Sequence, residues 1–538
     1  MTAAGTASGR TSLRAMPPLA LLAAVAVAAL TLVPLVYVGL QVVAVGPAEA
    51  AALLFRPRVG ELLRNTAALT VAGCLACAVL GAGAAWLVER TNLPGRPVWT
   101  ALMAAPLAVP AFVSSYGWVS LTSAVEGFGG AVLITTLSYY PLVYLPVAAV
   151  LRGMDPAFED MARALGLGPC RTFARVVAPQ LRPALYGGVL LVGLHLLAEF
   201  GALQALRFPT FTTAIYDQFE STFDGAAATM LAGVLVVCAA LLLVAELRLV
   251  GRARLARVGS GSAREPVRHR LGALTPLALL GMAALAGLAL GVPLGSLAYW
   301  LAVGRSTAFP VGTLATTTVT TVALALTGAA VTCALALPVA WLSVRRPGWL
   351  SAALERCTYV AGSLPGIVVA LSLVILAVDH LPAVYQTTAL LIIAYAVLFM
   401  PKAMVSLRAA LRAAPPELDD AARALGARPV AVLRRVTLPL IARGIGAGGA
   451  LVFLSIVTEL TATLLLAPIG TVTLATEFWS NSSSLEYGAA APYAVLMIAI
   501  SAPAAYLLTR SSLRSSAAFA EAAVLNGELA SSLTGRAS

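Results

Sequence analysis

Hydrophobic residues run through this chain in long unbroken blocks rather than in the three-or-four-residue beat of an amphipathic helix or the alternation of a half-buried strand. Blocks of about 20 residues, long enough to cross a bilayer, begin near Pro18, Leu62, Val98, Ala131, Pro183 and Thr229. A second series begins near Leu271, Val311, Tyr359, Thr388, Gly444 and Ala489. The pattern predicts about twelve membrane-crossing helices, six in each half, in an all-α integral membrane protein. The first block reaches from Pro18 to about Val45, longer than the 7 to 15 apolar residues of a cleaved signal, and is read as a retained helix.

Between these blocks one polar stretch is written twice. From Met161 the chain reads MARALGLGPCRTFARVVAPQL, and from Ala421 it reads AARALGARPVAVLRRVTLPLI. The two agree at nine of 21 positions without a gap, where chance gives about one or two. The same shift of 260 residues carries Pro141 onto Pro401, Arg152 onto Arg412, Pro156 onto Pro416 and Glu199 onto Glu459. A period this long excludes stacked solenoid units and leaves a duplicated domain. The expected organisation is a first half at 1–255, a linker at 256–270 and a second half at 271–538, with the repeated stretch at 155–180 and 415–440.

Composition agrees with the block pattern. The 538 residues are 60% hydrophobic and 11% charged, with mean hydropathy +0.91, against roughly 25% charged in a soluble domain. The net charge of +12 comes from basic residues in short loops. Placing the N-terminus, the Arg90–Arg96 segment, both copies of the stretch, the linker, the Arg345 segment and the C-terminus on one side collects 30 of the 35 Lys and Arg there. By the positive-inside rule that side is the cytoplasm, with both termini in it. Charges spread over helix ends do not make a nucleic-acid patch, so no nucleic-acid partner is expected and the lipid bilayer is. An even number of crossings per half makes the halves parallel repeats.

Each copy of the stretch opens on a helix-start signal, Asp155 before Pro156 and Pro415 before Pro416. Acidic Glu159, Asp160, Asp419 and Asp420 fall early in the short helix, where its dipole favours anions. Gly166 and Gly426 are placed to end it. A second amphipathic segment follows, closed by Pro179 in one copy and Pro439 in the other. The bland alternative is an interfacial helix lying on lipid, which does not require the same glycine and proline in both halves.

The pattern of an acid, two small residues, a glycine, an apolar or aromatic residue and a proline resembles the EAA loop of permease subunits of ABC importers. Here it is Asp160, Met161, Ala162, Gly166, Phe173 and Pro179, and again Asp420, Ala421, Ala422, Gly426, Leu433 and Pro439. Asp stands for Glu in both copies, Met161 for a small residue and Leu433 for an aromatic. The resemblance implies the type I ABC importer permease fold and a coupling role for Glu159, Asp160, Ala162, Gly166, Phe173, Pro179, Asp419, Asp420, Ala422, Gly426, Leu433 and Pro439. It implies two copies of an ABC ATPase subunit and an extracytoplasmic substrate-binding protein as partners. It is nearest to the fused permeases of ferric-iron importers, with thiamine, phosphonate and polyamine permeases as alternatives.

No phosphate-binding loop is present, since the only lysine, Lys402, sits in MPKAM. The chain is therefore expected to be no enzyme and to bind no cofactor, with ATP used by the partner subunit. His195, Glu199 and Glu459 are candidates for the translocation path, because carboxylates within apolar helices usually face a bundle interior or water. The competing reading of these residues is a satisfied structural pair. Cys74 and Cys77 form a CxxC inside a predicted membrane helix and are read as small buried hydrophobes. Gly444 and Gly448 are read as a close helix-packing pair. A rival of another class, an ion-driven secondary transporter with twelve helices in two parallel halves, would need no ATPase. The loop ERTNLPGR from Glu89 does not resemble the signature loop of the major facilitator family, and that family has no repeated elbow.

Overall fold

The computed structural model describes residues 18–221, 225–249, 268–305, 307 and 309–503. Most of the predicted linker and the last 35 residues lie outside them. Nine described helices are long and apolar enough to cross a membrane. They are α1 Pro18–Val45, α2 Pro57–Arg90, α4 Phe128–Gly153, α5 Pro169–Ala198, α6 Gly225–Ala245, α7 Gly272–Val303, α8 Val311–Arg345, α10 Thr388–Ala413 and α11 Val430–Val457. Two more segments are broken in the middle: α3, Arg96–Ala108 with Ala111–Val119, bends by 91°, and α9, Trp349–Gly362 with Gly366–His380, bends by 99°. The last, α12, is the shorter apolar helix Tyr487–Pro503. Each of the twelve predicted blocks thus has a helical counterpart.

The two breaks have one cause. Pro110 and Pro365 sit at the bends in extended conformation (φ −57°, ψ 143° and φ −58°, ψ 142°). Proline offers no N–H to the preceding turn and pushes the residue before it out of the helical region. The two prolines are 255 residues apart, not 260. The same shorter shift pairs Thr66 with Thr321 and Arg90 with Arg345, so the repeat is read at one register in α2, α3, α8 and α9 and at another in the polar stretch.

In space the chain forms two compact units, each built from parts of both halves. Within the described residues, one unit holds 18–55, 215–236 and 309–481, and the other holds 56–214, 237–307 and 482–503. In the first, α1 packs along α8 and α9, while α8, α10 and α11 pack on one another. In the second, α7 packs on α3, while α2, α4 and α5 form the core. The leading helix of each repeat therefore lies with the core of the other repeat. An apolar face all round carries no address in the sequence, so the block pattern does not foretell this exchange.

Close packing explains several small residues. Gly73 in α2 meets the tip of Leu196, and at the matching place Gly328 in α8 meets Ile456; a Cβ would stand 2.8 Å and 2.6 Å from those side chains. In α11, a Cβ on Gly444 would lie 2.2 Å from the Cβ of Ala410 and one on Gly448 3.2 Å from the Cβ of Ser406. The Gly444–Gly448 pair thus lets α11 seat against α10, as a small-residue face does in lipid. Gly444→Ala is expected to cost about 1 to 3 kcal/mol by overpacking. Adding Ala410→Gly should recover most of the loss in a thermal-unfolding assay in detergent.

Candidate coupling elbows and intramembrane polar groups

The first copy of the repeated stretch folds as a helix, a bend and a second helix. Asp155 accepts the N–H of Ala157 at 3.0 Å and so caps the helix Ala157–Ala164. Gly166 ends it at φ +79°, a left-handed conformation that side chains resist. The N–H of Gly166 reaches the carbonyl of Arg163 at 2.9 Å, and that of Leu167 reaches Ala162 at 3.0 Å. In the second copy Gly426, at φ +83°, does the same with Arg423 at 2.9 Å, and Ala427 with Ala422 at 3.1 Å. Both are Schellman caps, in which left-handed glycine lets two trailing N–H groups satisfy the helix's last carbonyls.

The spacing from Phe173 to Pro179, and from Leu433 to Pro439, also has a physical reason. A single π turn occupies Phe173–Val177 and Leu433–Thr437, and the N–H groups of Ala178 and Leu438 bond five residues back. Proline cannot donate to the carbonyl four residues before it, and the wider turn absorbs that break without stopping the helix. The elbow therefore runs straight into the membrane, as α5 in one repeat and α11 in the other.

Each elbow is tied to a transmembrane helix by a buried ion pair. Glu159 is 4% exposed and lies 2.8 Å from the fully buried guanidinium of Arg90 at the end of α2. Asp419 is 2% exposed, lies 3.5 Å from Nε of Arg345 at the end of α8, and accepts the hydroxyl of Thr437 at 2.9 Å. Arg345 also donates to the carbonyl of Ala414 at 3.0 Å. Asp160 and Asp420 instead face solvent and pair with Arg163 and Arg423 one turn on, at 3.8 Å and 2.7 Å. Of the two acids in each copy, the first anchors and the second is displayed.

The rest of the motif divides in the same way. Ala162 is buried, Ala422 half-buried, and Pro179 and Pro439 exposed. Beside the glycines, Leu165 and Leu425 are 82% and 89% exposed, large apolar side chains standing free on the bend. Phe173 is partly exposed, with its ring edge-on to Trp86 of α2 at 5.1 Å, while Leu433 is half-buried. Around the first elbow, Glu89 is buried between Arg96 and Arg152; around the second, Glu355 pairs with Arg408. Sequence reasoning did not single out Arg90, Arg345, Trp86, Leu165 or Leu425.

Of the candidate path residues, His195 lies in the last turn of α5, while Glu199 and Glu459 sit at helix breaks. Glu199 follows the last residue of α5, about 30 Å of helix beyond the π turn, and is half-buried. Its carboxylate accepts the N–H of Ala202 at 2.9 Å and the hydroxyl of Tyr139 from α4, and so caps the short helix Gly201–Ala205. Nδ1 of His195 lies 2.8 Å from the carbonyl of Leu191, and its ring lies 5.5 Å from that of Tyr139. Glu459 likewise accepts the N–H of Ala462 at 3.0 Å, opening the helix Thr461–Leu466, and its carbonyl accepts the hydroxyl of Thr463 at 2.9 Å. The two carboxylates thus share a capping role. Their surroundings differ, since Phe399 stands where Tyr139 does.

Lys402, counted in the sequence among the cytoplasmic-side basic residues, is instead a further charge within a membrane helix. It lies on α10 with Nζ 2.6 Å from the hydroxyl of Ser455 and 5.0 Å from the ring centre of Phe399, and its side chain is exposed. All six cysteines are free; Cys74 and Cys77 bond to the carbonyls of Val189 and Thr136. No group of three or more metal-ligating His, Cys, Asp or Glu occurs among the described residues.

Two helical repeats, twelve apolar segments and an elbow built the same way in each repeat define a multi-pass membrane permease. The chain belongs to the family of binding-protein-dependent transport system inner membrane components, whose model matches residues 77–254 and again 333–514. Over 480 residues it is 37% identical to a Fe(3+)-transport system permease protein of Haemophilus influenzae, covering 89% of this chain and 95% of the relative. A sulfate transport system permease protein of Salmonella typhimurium is 32% identical over 31% of this chain and 67% of its own length. A ferric transport system permease protein of Actinobacillus pleuropneumoniae is 23% identical over 70% of this chain and 57% of its own.

Proposed function

We propose that this chain is the permease of an ATP-driven importer, carrying ferric iron handed over by an extracytoplasmic binding protein, with one ATPase subunit docked on each cytoplasmic elbow. The observation that carries the coupling is the pair of matching elbows. Each presents an exposed leucine on a glycine bend, is locked by a buried acid–arginine pair to one membrane helix, and continues without interruption into another. A push on such an element moves two helices as a rigid body. The similarity to a Fe(3+)-transport permease over nearly the whole of both chains supports the cargo. Hard carboxylate and phenol oxygens, as at Tyr139 and Glu199, suit a hard cation passing the membrane.

Lys402 favours a second reading, an oxyanion cargo, together with the partial match to a sulfate permease. Uptake assays with ferric iron and with sulfate separate the two.

Docking is testable with the native protein. Cys170 lies in the first elbow and is the one exposed cysteine of the six. Binding of the ATPase is expected to slow its reaction with a bulky maleimide several-fold. Equal rates with and without the ATPase would contradict docking at this elbow.

A further inference from the structure

At the end of the inter-repeat linker, just before α7, the chain is fastened to the end of α2. The N–H of His269 donates to the carbonyl of Arg90 at 2.8 Å, the N–H of Asn92 donates to the carbonyl of His269 at 3.2 Å, and Asn92 Oδ1 accepts the N–H of Leu271 at 2.9 Å. Thr91 and His269 form a parallel bridge. This short ladder places the imidazole flat against Trp86, 5.8 Å between ring centres and 20° from parallel. The same indole meets the edge of Phe173, in the π turn of the first elbow, at 5.1 Å and 88°. Arg90, whose carbonyl holds His269, is also the buried partner of Glu159. Strap, helix end and elbow are therefore one contiguous set of contacts.

The second elbow lacks one ring of this stack. Trp341 stands where Trp86 does, but Leu433 replaces Phe173. Stacking of this kind is favourable only between rings in defined offset or edge-on geometry, so an aliphatic residue cannot take the place of either outer ring.

We infer that Arg268–Leu271 is a strap that positions the first elbow through the His269–Trp86–Phe173 stack, making the inter-repeat connection part of one coupling element and the two elbows mechanically unequal. His269 acts through Trp86 and so is a positioning residue. Only the consequence for coupling rests on the function proposed above; the contact itself does not.

Hydrogen exchange of the full chain in detergent, read by mass spectrometry with and without His269→Ala, tests the inference. The backbone ladder needs no side chain at 269, so the variant keeps the strap's main-chain bonds. Exchange across residues 157–177 is expected to accelerate about tenfold, the signature of a local opening made easier, while residues 417–437 exchange as in the native chain. His269→Phe, which restores a flat ring, should return the first elbow to native rates, and Trp86→Leu should reproduce the alanine effect. Unchanged exchange at 157–177 in His269→Ala, or equal acceleration in both elbows, would overturn the strap. With the ATPase bound, His269→Ala should also raise ATP hydrolysis without substrate. If exchange responds and hydrolysis does not, the strap stands and the coupling role of the elbow falls.

Discussion

Glu159→Ala should destabilise the first elbow by about 3 to 5 kcal/mol, because it strands the guanidinium of Arg90 without its counter-charge in a place water does not reach. Arg90 is fully buried and its other polar contact is the sulfur of Met154 at 3.1 Å, a weak acceptor. The elbow is then expected to leave α2 rather than keep an unpaired buried charge. Folded yield in detergent should fall, and what remains should hydrolyse ATP with its partner without moving substrate. Arg90→Met combined with Glu159→Leu removes both charges, and yield should largely return, as it does when an ion pair is exchanged for apolar residues of similar size. The matching Asp419→Ala should cost less. Arg345 keeps the Ala414 carbonyl as a partner and is 10% exposed in its side chain. Glu159→Ala protein with native yield and native coupling would refute the anchoring role.

The second large effect is on transmission alone. Gly166→Val with Gly426→Val places a β-branched residue at φ +79° and +83°, where even an unbranched L-residue costs about 1 to 2 kcal/mol. No neighbouring atom lies within 4 Å of the Cβ that either change would add. The strain is therefore confined to the backbone of the bend and is relieved by opening the elbow, with the membrane core untouched. Insertion and yield should stay close to native, while substrate-stimulated ATP hydrolysis falls by about tenfold or more, the scale of a lost coupling energy. Gly166→Asn with Gly426→Asn, which tolerates the left-handed region, should retain most of it. Normal stimulation in the double valine variant would end the elbow proposal.

Much of this was open to a reading of the chain by residue pattern. Twelve apolar blocks give twelve helical segments because a length near 20 residues is a direct requirement of the bilayer. The elbow was legible from Asp155, Gly166, Gly426 and the two prolines, since capping, left-handed glycine and proline are local effects that need no tertiary partner. What escaped notice is non-local. Arg90 and Arg345 match at a shift of 255, and the elbows at 260, so a single register hides the partners of Glu159 and Asp419. Which acid of each pair is buried follows from helix rotation against α2 and α8, and the charge pattern is the same either way. Glu199 and Glu459 read as charges inside helices, yet each stands at a helix break as a cap. The placement of α1 beside α8 and of α7 beside α3 rests on packing between apolar surfaces that look alike in sequence.

ATP hydrolysed on the cytoplasmic side should drive cargo through this chain. The direct measurement is uptake of radioactive ferric iron into proteoliposomes holding the chain and its ATPase, with iron-loaded binding protein outside and ATP supplied to the ATPase face. Iron accumulating inside only with ATP, and lost in the Gly166→Val and Gly426→Val double variant, is the predicted result. Accumulation that is the same without ATP would contradict the central claim and point to a transporter driven by an ion gradient instead.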